Sequence, residues 1–280
     1  MKFNKRGGLY WVAVFLVLAA IFTFLLLSST SKPEAGEEAR VKGSWQISFL
    51  KDNYLAAEKK LLQNDIAAMA AGRETALELA SNGGFLNSPD GNFPCGQVET
   101  INVKAINLWN DGSRFCFPDI EYNIVSSMEK KLKLKLPDQQ FTEIGYSGAT
   151  IFAQGKKENV TSTTGIYEYD TSFAVNIKYS FDEYEQLEKE AAELVSSCKN
   201  DADLNQCLDK NRPVHWKYGS CENEVLSQNA GGGRKVVFCV ESPNKFAIST
   251  KENNVVKETP IRYKLALDFA SEEANEQHIS

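Results

Sequence analysis

Six cysteines, two histidines and a few paired acids are the residues of this 280-residue chain whose types could do chemistry. The cysteines are Cys95, Cys116, Cys198, Cys207, Cys221 and Cys239. A structural metal site would need ligands in close register, as in C-x-x-C or C-x-x-C-H, and neither pattern occurs; of His215 and His278, the second falls in a polar tail. The sequence therefore predicts neither a metal nor another cofactor. An even number of cysteines, all downstream of a long apolar run, predicts disulfides formed in an oxidising compartment. Spacing leaves the pairing open. Sequential pairing of Cys95 with Cys116, Cys198 with Cys207 and Cys221 with Cys239 is the expectation, because each closes a loop short enough to form locally.

Catalytic patterns are weak. No G-x-S-x-G elbow is present, since Tyr146-Ser147-Gly148 lacks the leading glycine. A Cys–His nucleophile would have to use His215, and every cysteine already has a disulfide partner in view; beside Trp216, that histidine reads as half of a packed aromatic pair. Ala230-Gly231-Gly232-Gly233-Arg234 has no Gly-Lys-Ser/Thr ending and precedes a strand, so it reads as a hairpin loop before a phosphate cradle. Glu168 and Asp170 alternate in YEYD and would share one strand face, the residue types that hydrolyse glycosides when they converge across a cleft. On an open strand they are ordinary surface acids. No catalytic, cofactor-binding or metal residue is assigned. Asn159-Val160-Thr161 is a glycosylation sequon in a polar stretch, which makes Asn159 a candidate surface attachment site.

The elements that must position these residues begin with an anchor. Leu9 to Leu27 reads LYWVAVFLVLAAIFTFLLL, without a charge. As a helix it is about 28 Å long, close to the hydrocarbon thickness of a bilayer. Its one hydroxyl, Thr23, can bond its own backbone. Lys2, Lys5 and Arg6 precede it and mixed charges follow, so the positive-inside rule puts segment 1–8 in the cytoplasm and the rest outside. The run is longer than the apolar part of a cleavable signal, which favours a retained single-pass anchor at 9–27. Residues 28–43, SSTSKPEAGEEARVKG, read as a flexible stalk, and 271–280 as a polar tail. The net charge of −6 becomes more acidic still without the basic head, the wrong sign for nucleic-acid binding.

Between stalk and tail, 42% apolar residues overall suffice for a packed core. A helical part with a cysteine-bearing loop is expected over 44–137 and a strand-rich part over 138–270. Asn53 is the expected N-cap of a long helix whose apolar stripe includes Leu55, Leu62, Ile66, Met69, Ala76, Leu77 and Ala80, ended by Asn82-Gly83-Gly84. Alanines along it would let another element pack close. Pro118-Asp119 opens a second helix through Ile124, Met128 and Leu132 to about Leu134, its lysines forming a solvated face. Strands are expected at Ala149 to Ala153, Gly165 to Tyr169 and Phe173 to Phe181. Asp182 then caps a helix with Leu187, Ala191, Leu194 and Val195 inward, and a short helix follows at Leu204 to Leu208. Three further strands are expected at Lys235 to Val240, Phe246 to Ser249 and Ile261 to Phe269. The fold class is α+β, an antiparallel sheet packed by helices and stabilised by disulfides.

Lys5-Arg6-Gly7-Gly8 running into the apolar stretch resembles archaeal class III, prepilin-type, signal sequences over about the first 27 residues, although only apolar residues stand where such segments carry an early acid. The arrangement of anchor, alanine-rich helix, cysteine-bearing loop and strand-rich half ending in KLALDF resembles uncharacterised single-pass cell-surface proteins of archaea. The resemblance implies a membrane-anchored extracytoplasmic protein with a non-catalytic binding or structural role. Its partners would be the lipid bilayer through Leu9 to Leu27 and other envelope or surface proteins, with no nucleic acid. The alternatives are a pilin-like filament subunit and an envelope glycan hydrolase using Glu168 and Asp170.

Overall fold

The computed structural model describes residues 44–86, 95–99, 105–163, 165–218, 220–221, 224–225, 234–249 and 256–270, together with residues 19, 21 and 23. The expected basic head, stalk and tail, most of the expected span and the glycine-rich loop before Arg234 lie outside them. Residues 19, 21 and 23 carry helical backbone, and the Thr23 hydroxyl donates to the Ala19 carbonyl at 2.8 Å, as a hydroxyl in an apolar helix must. Among the described residues no helix is long and apolar enough to cross a membrane.

The long helix starts earlier than expected. α1 (Ser44–Phe49) passes through a π turn (Leu50–Tyr54) into α2 (Leu55–Ser81) without a break. Asn53 is therefore not a cap. It is buried within the rod and its amide donates to Ser162 Oγ at 2.9 Å. The expected stripe is corrected too: Leu55, Leu62 and Ile66 are exposed, and the buried face is Ala57, Asn64, Ala68, Ala71, Gly72, Thr75, Ala76, Leu79 and Ala80. Small residues win because the helix lies against the sheet at very short range; a Cβ on Gly72 would stand 2.5 Å from Ile151 Cδ1 and 2.9 Å from Ile177 Cγ2. The expected end is present. Gly84, at φ +85°, donates its amide to the Leu79 carbonyl at 2.6 Å, and a Cβ there would meet Pro118 Cγ at 2.5 Å.

The cysteine-bearing loop contains two short strands, β1 (Gln97–Val98) and β2 (Ile106–Asn107), paired antiparallel. α3 (Ile120–Lys135) then begins as expected, with Asp119 Oδ1 accepting from the Tyr122 amide at 3.0 Å and Ile124, Met128 and Leu132 buried. Its lysines do more than meet solvent, since Lys135 pairs with Glu74 at 2.7 Å and Lys131 with Glu78 across to α2. β3 (Phe141–Ser147), β4 (Thr150–Gly155) and β7 (Phe173–Asn176) form one antiparallel sheet in the order β3-β4-β7. β5 (Lys157–Ser162) and β6 (Gly165–Asp170) form a separate hairpin.

The strand expected to run to Phe181 stops at Asn176. Asn176 Oδ1 accepts from the Lys178 amide at 2.8 Å and Lys178 takes φ +61°, so the chain turns while Ile177, Tyr179 and Phe181 stay buried. The alternation reported burial rather than pairing. α4 (Glu183–Cys198) buries Leu187, Ala191, Leu194 and Val195 as expected, although Asp182 makes no side-chain cap bond. α5 (Leu204–Asn211) follows, capped by Asp203.

The C-terminal portion is corrected from three strands to two long ones plus a short edge. After β8 (Trp216–Tyr218), β9 (Ser220–Cys221) and β10 (Glu224–Val225), β11 (Lys235–Ser249) pairs antiparallel with β12 (Val256–Asp268). Ser242-Pro243-Asn244 is a bulge within β11, where the register shifts between Glu241 and Lys245, rather than a turn ending a strand. β8 pairs with the other edge of β11. One continuous core runs from Ala68 through Trp109, Ile151, Tyr184 and Phe238 to Phe269. A smaller cluster of Val98, Ile106, Leu108, Val237, Ala266 and the Cys221 and Cys239 sulfurs covers the opposite face of the β11–β12 sheet. The result is an α+β domain with several antiparallel sheets packed by helices.

All six cysteines are joined, in the expected sequential pattern: Cys95–Cys116, Cys198–Cys207 and Cys221–Cys239. The first closes the loop that precedes α3, the second ties α4 to α5, and the third fixes β9 to β11.

Candidate functional site

A groove of about 940 Å³ opens where the start of α4, the turn before β8 and the β11 bulge meet. Its apolar wall is Leu187, Val214 and Pro243, and its rim carries Lys217 and Lys245 beside Asp182 and Glu241. The bulge shapes the groove, because Ser242, Pro243 and Asn244 leave the β11 ladder and line it, with Ser242 bonded to Glu183 of α4. A proline within a run of β-forming residues was the sequence signal for it.

The floor is held by a buried chain of hydroxyls. Glu183 Oε2 accepts from Tyr263 at 2.8 Å and from Ser242 Oγ at 2.9 Å, and the Tyr179 and Tyr263 oxygens are 2.6 Å apart. With Tyr263 donating to the carboxylate, Tyr179 donates to Tyr263. Burial pushes both phenols well above their ordinary range, with the nearby Glu183 charge adding to the effect, so both remain donors. Tyr263→Phe leaves the Tyr179 hydroxyl without its acceptor and is expected to lower the unfolding free energy by about 1–2 kcal/mol, read as a lower thermal midpoint. An unchanged midpoint would show that the hydroxyl chain contributes nothing.

His215 lines the same groove. Glu190 Oε2 accepts from Trp216 Nε1 at 2.7 Å and lies 3.0 Å from His215 Nε2. A carboxylate only accepts, so Nε2 carries the proton and a neutral ring is left with Nδ1 as acceptor. Trp216 is buried edge-on to Phe238 at 5.3 Å, while His215 is partly exposed. The aromatic pair expected from sequence is thus split between core and groove. Among the described residues the imidazole bonds to Glu190 and to no serine or cysteine.

The paired acids do not converge on the groove. Glu168 is exposed on β6 and pairs with Lys157 at 3.1 Å. The Ser172 hydroxyl and then the Ser172 amide, at 2.8 Å, donate to Asp170 and hold its carboxyl below the usual range. Asn159 is exposed on β5 and Thr161 lies on the same outward face, two residues on, as a sequon open to solvent requires.

Cys95, Cys116 and Asp111 stand together, but the two sulfurs are already bonded to each other and are not thiolate ligands. Asp111 instead organises its loop, accepting from Ser113 Oγ at 2.7 Å, the Arg114 amide at 3.0 Å and Arg114 Nε at 3.1 Å. These donors, Ser113 first, hold the Asp111 carboxyl down to about 2. A depressed carboxylate stabilises the fold above its ordinary value near 4 and loses that contribution as the pH falls towards 2. The fall in thermal midpoint from about pH 4 to about pH 2 is therefore expected to be smaller in Asp111→Asn than in the parent chain. Equal falls would count against this role.

Comparison of the chain with protein-family models, with curated proteins and with solved structures finds no match.

Proposed function

We infer that this chain is a membrane-anchored extracytoplasmic protein with a non-catalytic binding role, held in the bilayer through Leu9 to Leu27 with its N-terminus in the cytoplasm. The observation that carries the reading is the pairing of all six cysteines into three disulfides, a state rare in reducing compartments and ordinary in oxidising ones. The groove is the contact site. An apolar wall with both cations and anions on its rim suits an extended ligand carrying both charges, such as a polar peptide segment of another envelope protein.

The test is topology. A C-terminal reporter that is active only outside the cytoplasm is expected to be active in the full chain, and a reporter that fluoresces only in the cytosol is expected to be dark. The opposite pattern removes the anchor, the orientation and the surface role together.

A further inference from the structure

The N-terminal helical rod turns an unpartnered apolar stripe outward. Ile47, Leu50, Leu55, Leu62 and Ile66 are each more than half exposed. At 3.6 residues per turn Leu55, Leu62 and Ile66 fall on one narrow line. The π turn at Leu50–Tyr54 holds more residues per revolution and rotates the preceding turns, which brings Ile47 back over that line. The far side of the rod is already engaged with the β5–β6 hairpin. Phe49 and Tyr54 meet Tyr167 edge-on at 6.3 and 5.8 Å, Asn53 bonds Ser162, and Lys60 pairs with Glu158. The stripe is therefore the outer face of an ordered two-part arm, and aligned exposed aliphatics of this kind mark contact surfaces.

We propose that this stripe docks on the same stripe of a second copy of the chain, with the two helices parallel and in register. Charge decides the orientation. Lys59 flanks the stripe on one side, Glu58 and Asp65 on the other, and all three are exposed. Facing helices that run parallel set one flank against the opposite flank of the partner, so the lysine side meets the acidic side. Antiparallel packing would set acid against acid.

The same charges disfavour a lipid surface as the occupant. Lys51, Lys59 and Lys60 are matched along the rod by Asp52, Glu58 and Asp65, and no basic face is left for anionic head groups. The chain outside the rod adds to the case, a point that rests on the anchored reading above. Residues 28–43 can reach at most about 55 Å, so copies anchored in one bilayer hold their rods within the same shallow layer above it, which raises the concentration of one stripe around another.

The test uses the full chain in its membrane, with single substitutions Leu55→Cys, Leu62→Cys and Ile66→Cys and a short bifunctional maleimide that leaves the native disulfides untouched. Each of the three is expected to give a same-site cross-linked dimer, while Ala56→Cys, exposed on the rod's flank, gives none. Lys59→Glu is expected to reduce the Leu62→Cys dimer about fivefold, and Glu58→Lys added to it to restore the yield. Absence of dimer at all three positions overturns the proposal. So does dimer at Leu62→Cys alone, which marks an antiparallel crossing, or quenching of a label at Leu62→Cys by lipid-borne quencher without any dimer. Labelling of Leu62→Cys by a membrane-impermeant maleimide on intact cells reads the topology separately. Dimers without outside labelling remove the anchored reading and leave the pairing standing, and labelling without dimers does the reverse.

Discussion

Reduction of the three disulfides is expected to unfold the head at ordinary temperature without any change in sequence. The closed loops have sequence separations of 21, 9 and 18. On the loop-entropy account they restrict the unfolded chain by about 3.3, 2.6 and 3.2 kcal/mol, together about 9 kcal/mol. Domains are stable by only about 5–15 kcal/mol, so most or all of the margin goes. The second and third bridges are both packed into apolar clusters, Cys198 and Cys207 in the main core and Cys221 and Cys239 in the small cluster with Val237 and Ala266. Far-ultraviolet circular dichroism before and after reductant, with the thiols alkylated, reads the effect. Retention of a cooperative thermal transition within a few degrees of the oxidised protein would show that the bridges are ornaments on a self-sufficient core.

Trp109→Ala is expected to cost about 3–5 kcal/mol, among the largest effects of a single truncation outside the cysteines. Trp109 is fully buried, its ring meets Phe117 edge-on at 5.6 Å, and Nε1 donates to the Gly83 carbonyl at 2.8 Å. Its backbone amide donates to Ala266 at 3.0 Å, and its carbonyl accepts from the Cys116 amide at 2.7 Å. The residue thus joins the end of α2, the β12 edge and the first disulfide. Truncation leaves a cavity and an unpaired carbonyl in the same place. Denaturant unfolding of the oxidised protein measures the loss. Trp109→Phe, which keeps the ring volume in part, is expected to recover more than half of it. A cost near zero for Trp109→Ala would mean that the loop bearing it is not part of the core.

The elements most legible in the sequence are those with a strong local cause. Asp119 caps α3, Gly83 and Gly84 end α2, and Leu187, Ala191, Leu194 and Val195 line α4, each because a side chain or a backbone freedom acts within one or two turns. The disulfide pattern was legible because short loops close first. What was hidden depended on partners distant in sequence. The outward turn of Leu55, Leu62 and Ile66 comes from the alanine and glycine face that packs on Ile151 and Ile177, about a hundred residues away along the chain. Asn53 looks like a cap because it precedes an apolar run, while its partner Ser162 is supplied by β5, a stretch that reads in sequence as polar surface. The groove was invisible for the same reason. Glu183, Tyr263 and Ser242 carry no shared motif, and only the register shift in β11 brings them to one carboxylate oxygen.

The account stands on an oxidised head beyond the membrane, and counting thiols tests it most directly. Protein taken from its own cells straight into denaturant and a maleimide is expected to show no reactive thiol, and six after reduction. Six reactive thiols before reductant would contradict the disulfides, the compartment and the surface role at once.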